Sequence, residues 1–326
     1  MTARGLNLLY VMDPMPRILP DKDTTFAFML EGQRRGHAQY HCTVDDVFLD
    51  RGQPHARARG ATVQRADPPH TLGEERTAPL LWFDVVFMRK DPPFDLAYYF
   101  ATQLLGFIDP TVTLVVNDPR GLREANEKLY ALRFPDLVPE SLVSADPSRL
   151  RAFMEVLGGE MIVKPLDGCG GAGVFHVHHA DRNLNAILET STANGARLIM
   201  AQRYLPAVRD GDKRVIVLDG EPIGAILRIP SEDEHRGNIH VGGRVERAAI
   251  DARDQAICRR MAPRLAADGL YFVGLDVIGG MLTEVNVTSP TGVQEIDRLD
   301  GTCLEARVLD FVEARAARLD RSHAPG

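Results

Sequence analysis

The stretch Gly274–Gly292, GLDVIGGMLTEVNVTSPTG, decides how the chain is read. Two apolar, β-rich runs flank Gly279 and Gly280, which is the pattern of a hairpin. Its register determines its use. A two-residue turn pairs Ile278 with Met281 and sends Asp276 and Glu284 to opposite faces, because side chains alternate along a strand. A three-residue loop (Gly279, Gly280, Met281) sets Asp276 opposite Glu284 and adds Asn286 to the same face. The other face then holds Leu275, Val277, Val285 and Val287, a continuous apolar surface, and on that ground we expect the three-residue loop. Two carboxylates and a carboxamide on one side of a ribbon are hard oxygen ligands. They suit Mg2+ held with substrate phosphates better than zinc, which selects Cys or His. An ordinary half-exposed hairpin with its polar residues in solvent is the competing reading, and the hairpin alone does not decide between the two.

Composition narrows the field. The chain has 326 residues, 44% of them apolar, enough for two or three packed units. A net charge of −7 argues against nucleic acid or an anionic membrane as the main partner. Cys42, Cys169, Cys258 and Cys303 are scattered with no CxxC pair, the usage of a reducing cytosol rather than of a disulfide framework or zinc cluster. No long uncharged apolar run is present, and the opening MTARGLNLLYVMDP lacks a signal-peptide core, so a cytoplasmic protein is expected.

Toward the N-terminus the pattern alternates. Leu6–Met12 reads as a buried strand, followed by Asp13-Pro14 and a helix from about Asp23 to Arg35, with Phe26, Met29 and Leu30 on one face and Gly36 ending it. Ala38–Val44 is a second strand, Asp84–Met88 a third, Asp95–Leu105 a helix and Thr113–Val116 a fourth strand. Such alternation implies a parallel sheet, whose strand C-terminal ends collect ligand-facing loops. Asp13 and the Arg89–Asp91 cluster fall at those ends, where a small molecule would bind. A plain solvated loop accounts equally well for Arg89–Asp91.

After Asn117-Asp118-Pro119, a helix through Asn126-Glu127-Lys128 opens a second unit. The strand Met161–Val163 delivers Lys164-Pro165 and then the loop Asp167–Gly173. Gly168–Gly173 fits GxGxxG, but that dinucleotide fingerprint needs a helix after the glycines. Val174–His178 instead alternates like a strand, and no GK[ST] follows for a Walker A loop. A strand, a glycine-rich loop and a second strand, preceded by Lys164, make a flap whose backbone N–H groups close on phosphates. His176, His178 and His179 invite a metal reading, but no third ligand has suitable spacing, and exposed strand histidines are expected. Arg197–Leu205 is a buried strand opening into Gln202, Arg203, Tyr204 and Leu205, a hinge with an apolar slot suited to adenine; a plain core strand is its alternative.

Asp212-Lys213-Arg214 begins the strand Val215–Leu218, and Pro222–Arg228 returns, so Arg214 and Arg228 project from paired strands with donor forks suited to phosphate or carboxylate. Ser231–Arg244 is polar and punctuated by glycine, the composition of a lid or of a passive surface loop. Helices are expected over about Asp251–Ala267 and Leu304–Arg318.

In this order the motifs resemble the ATP-grasp superfamily. MDP, MRKDPPFD, NEKL, KPLDGCGG, DGDKR, RGN…GGR and GLDVIGGMLTEVNVTSPTG are similar, more narrowly, to the bacterial glutathione synthetase family, from Met12 to Thr291. The resemblance implies an α/β (α+β ATP-grasp) chain: a Rossmann-like pre-ATP-grasp domain over residues 1–124, a central ATP-grasp subdomain with the glycine flap over 125–205, and a C-terminal subdomain with the metal hairpin and lid over 206–326. It implies that Lys128, Lys164 and the flap residues Gly168, Gly170 and Gly171 contact ATP phosphates. Gln202, Arg203, Tyr204 and Leu205 would hold the adenine, through main-chain groups because Arg203 stands where many members carry an acid, and Asp212 the ribose. Asp276, Glu284 and Asn286 would hold two Mg2+ ions, Mn2+ being an acceptable substitute. Arg214 and Arg228 would steady the transferring phosphoryl group. Asp13, Arg89, Asp91, Asn238, Ser289 and Thr291 would face the substrates, γ-glutamylcysteine and glycine. A homotetramer is the assembly it implies. The activity implied is ligation through an acyl phosphate, with positioning and cations supplying most of the catalysis.

Overall fold

The computed structural model describes residues 4–168, 170–230 and 244–324. Cys169, Asn238 and residues 231–243 of the expected lid lie outside the described residues.

The first unit forms β1 (Asn7–Met12), α1 (Thr24–Arg34), β2 (Ala38–Cys42), β3 (Val47–Asp50), β4 (Gln53–Val63), β5 (His70–Pro79), β6 (Val85–Arg89), α2 (Leu96–Leu105) and β7 (Leu114–Val116). The sheet runs β3-β4-β2-β1-β6-β7, with β5 on β4. The strands expected from alternation are its parallel centre: β1 lies parallel to β2 and β6, and β6 to β7. The stretch between β2 and β6, which carried no clear pattern, adds antiparallel strands. Asp23 and Asp95 cap the two helices, accepting from Phe26 N at 2.8 Å and Tyr98 N at 2.9 Å.

The second unit begins with α3 (Pro119–Glu124) and α4 (Glu127–Ala131), the latter capped by Asn126. It continues through β8 (Ser141–Ser144), α5 (Pro147–Val156), β9 (Glu160–Pro165), β10 (Phe175–His178), α6 (Leu184–Ser191) and β11 (Ile199–Gln202), forming an antiparallel sheet of order β10-β9-β11-β8. Met161, Val163, Val177, Ile199 and Ala201 bury one face against Leu150, Met154 and Leu188. A strand follows the glycine loop, so the dinucleotide fingerprint has no structural basis here.

The third unit comprises β12 (Asp212–Leu218), β13 (Glu221–Ile229), β14 (Arg244–Arg247), α7 (Ala252–Ala267), β15 (Phe272–Ile278), β16 (Met281–Asn286), α8 (Val293–Asp300) and α9 (Leu304–Ala316), with sheet order β14-β13-β12-β15-β16.

The β15–β16 hairpin corrects the expected loop length. Ile278 pairs with Met281, so the turn has two residues, Gly279 and Gly280, at φ +56° and +77°, the left-handed geometry of a type I′ turn. Val277 pairs with Leu282, and the register then slips so that Asp276 faces Glu284 and Gly274 faces Asn286. Thr283 is the extra residue of a bulge, and its Oγ1 donates to the Asp276 carbonyl at 3.1 Å. A bulge therefore does what a longer loop was expected to do. Leu275, Val277, Leu282, Val285 and Val287 are all buried on the opposite side.

The units are stitched together at the base of this hairpin. The amide of Asn117, just past β7, donates to the carbonyls of Phe272 (2.8 Å) and Val287 (2.9 Å) and accepts from Phe272 N (2.8 Å). α9 packs on α1, where Arg35 reaches Asp310 at 2.7 Å. Among the described residues no helix is long and apolar enough to cross a membrane.

Candidate active site

Alternation builds the charged face of the third sheet. Asp212 and Arg214 lie two apart on β12 and share a side; the register sets Arg228 opposite Asp212, Asp276 opposite Arg214, and Glu284 opposite Asp276. Arg214 grips Asp276 through Nε (2.5 Å) and Nη2 (3.0 Å), and Arg228 Nη2 lies 3.0 Å from the same carboxylate and 2.5 Å from Asp212. Asn286 Nδ2 donates to Asp276 Oδ2 at 3.2 Å. Burial opposes the charge on Asp276, but the guanidiniums of Arg214 and Arg228 outweigh it and hold this carboxyl well below the usual range. On Asp212 burial wins despite Arg228, and its carboxyl is pushed up to about 6. Asp212 Oδ1 and Arg228 Nε are buried with no hydrogen-bond partner.

Two lysines enter from the second unit. Lys128 Nζ lies 2.8 Å from Glu284 Oε1 and donates to the Gly168 carbonyl at 2.7 Å. Lys164 is buried, which lowers its amine's pKa, and its Nζ donates to the Thr283 carbonyl at 3.2 Å. Beside them, burial and the neighbouring Glu284 push Glu127 up to about 7, while Thr288 Oγ1 donates to it at 3.0 Å.

At the hinge, Gln202 donates to Ser141 Oγ at 2.8 Å, and Arg203 N donates to the Glu140 carbonyl at 2.9 Å. The Arg203 side chain forks onto the Glu140 carboxylate at 2.7 Å twice. The Tyr204 ring stacks on His176 with 3.8 Å between centroids.

These groups surround one cavity of about 420 Å3. It gathers Lys128, Lys164, Gly168, Gly170, Gly171, the hinge Gln202–Leu205, Asp212, Arg214, Arg228, Asp276, Glu284 and Asn286, together with Asp91, Ser289 and Thr291. Asp13 and Arg89 stand behind its wall. Asp13 accepts from Asp91 N (2.9 Å) and pairs with Lys90 (3.0 Å), shaping the loop that carries Asp91. Arg89 is buried over the rings of Phe28 and Phe272 and donates to Thr25 Oγ1 and the Pro290 carbonyl, both at 3.0 Å, so it fixes the Ser289–Thr291 turn from beneath. Glu127, Thr283 and Thr288 line the cavity without having been singled out in the sequence. A glutamate at the start of a helix beside a lysine reads as a solvated pair, and only the fold reveals its burial.

The donor set fits a hard divalent cation. Asp276, Glu284, Asn286 and Glu127 offer oxygen ligands along the wall of the cavity, and the stranded Asp212 Oδ1 and Arg228 Nε show buried polar capacity left for a ligand.

Residues 6–123 match the N-terminal domain of prokaryotic glutathione synthetase, and residues 127–301 match that family's ATP-grasp domain. The chain belongs to the prokaryotic glutathione synthetase family. It is 48% identical over 313 residues to the glutathione synthetase of Gloeobacter violaceus, covering 94% of this chain and 96% of that one. To the glutathione synthetase of Salmonella typhimurium it is 47% identical over 315 residues, covering 96% and 100%. Among solved structures it shares the fold of the D-cycloserine synthetase DcsG (TM-score 0.66, 18% identity, 96% and 100% covered). It also shares the fold of the ATP-grasp ligase PsnB in a complex with minimal precursor, Mg and ADP (TM-score 0.61, 18% identity, 95% and 98% covered). The α/β ATP-grasp architecture expected from the motifs is thus the architecture of the protein.

Proposed function

We propose that this cavity ligates γ-glutamylcysteine to glycine at the expense of ATP, through an acyl phosphate, giving glutathione, ADP and phosphate. The observation that carries the reading is the convergence of Arg214, Arg228, Asp276, Glu284 and Asn286 with Lys128 and Lys164 around one cavity. A carboxylate is a poor acyl donor until phosphorylated, and phosphoryl transfer is catalysed by positioning and by charges set out in advance.

The position of each residue supports a role in that reaction. Lys128 and Lys164 neutralise phosphate oxygens, and the backbone N–H groups around Gly168, Gly170 and Gly171 cap them. Gln202–Leu205 receives the adenine and Asp212 the ribose. Asp276, Glu284 and Asn286 hold Mg2+, as two ions with Mn2+ able to replace it; when bound, the metal neutralises developing charge on the transferred phosphoryl group. Arg214 and Arg228, already oriented by Asp276, donate to the phosphoryl and acyl-phosphate oxygens without reorganising. Asp91, Ser289 and Thr291 face the dipeptide and amine, and Asn238 belongs with them. The units divide as 1–124, 125–205 and 206–326, in a homotetramer of the cytoplasm.

The test is phosphate release from ATP across a panel of dipeptides and amines. γ-Glutamylcysteine with glycine should turn over best. γ-Glutamyl-α-aminobutyrate, which swaps the thiol for a methyl, should be a fair substrate, because a site of polar donors rejects analogues that leave its buried polar groups unpaired more strongly than it rejects a methyl in place of a weakly hydrogen-bonding thiol. Release with an α-linked dipeptide but not with γ-glutamylcysteine would overturn the substrate while leaving the ligase class standing.

A further inference from the structure

Outside the cavity, on the rim of the second sheet, three potential ligands converge. We propose that Glu160, His176 and His178 form a binding site for a zinc-class divalent ion, separate from the Mg2+ site. Sequence spacing offered only the two histidines, since the third group comes from the neighbouring strand. β9 and β10 pair so that His178 faces Glu160 and His176 faces Ile162. Met161 and Val177 point into the core and are fully buried, which fixes this register: a one-residue slip would bury the histidines instead.

Distances and chemistry agree. His176 Nε2 lies 2.8 Å and His178 Nδ1 3.7 Å from Glu160 Oε2, and one ligand atom from each of the three residues falls within 4.8 Å of the others. A tetrahedral ion with bonds of about 2.0–2.2 Å spaces its ligand atoms by roughly 3.3–3.6 Å, inside that interval, so small side-chain rotations complete the set. Two imidazoles and a carboxylate are a zinc donor set that leaves a fourth position for water; Mg2+ and Ca2+ prefer all-oxygen cages. β10 is an edge strand, and the side chains of Glu160 and His178 are 42% and 53% exposed, which gives an ion an entry path. The site adjoins the nucleotide cavity through His176, whose ring stacks on the cavity residue Tyr204 at an interplanar angle of 15°.

The alternative is a surface His–Glu pair that binds nothing, and metal binding to the full chain separates the two. Metal-stripped protein is titrated with Co2+, a spectroscopic stand-in for Zn2+, in excess Mg2+ that occupies the acidic site. The proposal expects one equivalent bound with the visible spectrum of a low-coordinate nitrogen–oxygen site, displaced by Zn2+. H178A and E160Q should each weaken binding at least about tenfold, the loss that removal of even an outer-shell partner produces. Both positions are partly exposed, so the variants should unfold at the wild-type temperature. C169S, C303S and E284Q should leave Co2+ binding unchanged. Absence of saturable binding, equal binding by H178A and E160Q, or loss of binding in a cysteine variant or E284Q would each overturn the site.

Discussion

Two bidentate arginine–carboxylate pairs border the same cavity, and they differ in almost everything except their chemistry. Arg214 and Asp276 sit on adjacent central strands with side chains 8% and 6% exposed. Arg203 and Glu140 sit at the hinge, 39% and 60% exposed, with equally good fork geometry. Water screens the second pair and leaves it worth little; the first is held where neither partner can be resolvated if the other is lost. The same contact thus serves as a locked electrostatic platform in one place and a surface ornament in the other. Burial, rather than hydrogen-bond length, decides which.

The largest break in that contrast comes from Asp276→Ala. It leaves Arg214 and Arg228 buried without their shared counter-ion, and we expect about 3–5 kcal/mol of lost stability with ligase activity abolished. Urea denaturation of the ligand-free protein checks it; a loss below about 1 kcal/mol would mean the two arginines find water, and the platform would not be locked.

Glu284→Gln probes the same face through chemistry. Glu284 is partly exposed and paired to Lys128, so the fold should survive. Turnover should fall about 100- to 1,000-fold, the scale of removing one oriented charge from a phosphoryl-transfer site. Activity within a few-fold of wild type, with unchanged metal dependence, would remove Glu284 from the metal set.

Glu127 sharpens the comparison by pH. Its carboxyl is held at about 7 in the folded protein against an ordinary value of 4.5. The folded state therefore binds the proton more tightly, and this group's contribution to stability is full below about pH 4.5 and is lost as pH rises through about 7. Glu127→Gln should make the ligand-free protein about 1–3 kcal/mol more stable than wild type at pH 8, the advantage vanishing toward pH 5. A difference independent of pH would show that Glu127 is not held protonated by its surroundings.

How much of this was legible beforehand depended on what alternation can carry. The apolar face of the hairpin and the parallel centre of the first sheet follow from local pattern and appear as expected. The bulge at Thr283 was not legible, because an inserted residue shows only against the partner strand. Nor was the role of Arg89, whose basic, polar neighbourhood reads as a ligand-facing loop although its guanidinium is buried between aromatic rings. Glu127 and Glu160 share one cause of invisibility: each gains its meaning from residues on another element. Long-range burial and cross-strand contact have no signature in a single stretch of sequence.

The smallest effect should come from Arg203→Ala, and its smallness is the point. The pair holds Glu140 down to about 2, yet both groups lie in water, where ordering two long side chains offsets most of the attraction. The hinge itself does not depend on the side chain. Arg203 N donates to the Glu140 carbonyl, and this bond continues the β8–β11 ladder beyond the Gln202–Ser141 pair. An alanine keeps that amide, the ladder and the Tyr204 stack on His176. Stability should therefore drop by no more than about 1 kcal/mol, and the difference from wild type should shrink further in 1 M salt, where the screening length is about 3 Å. Thermal unfolding at low and high salt measures both. A salt-independent loss above about 2 kcal/mol would show that the hinge pair behaves like the buried one, and exposure would no longer explain why two identical contacts differ.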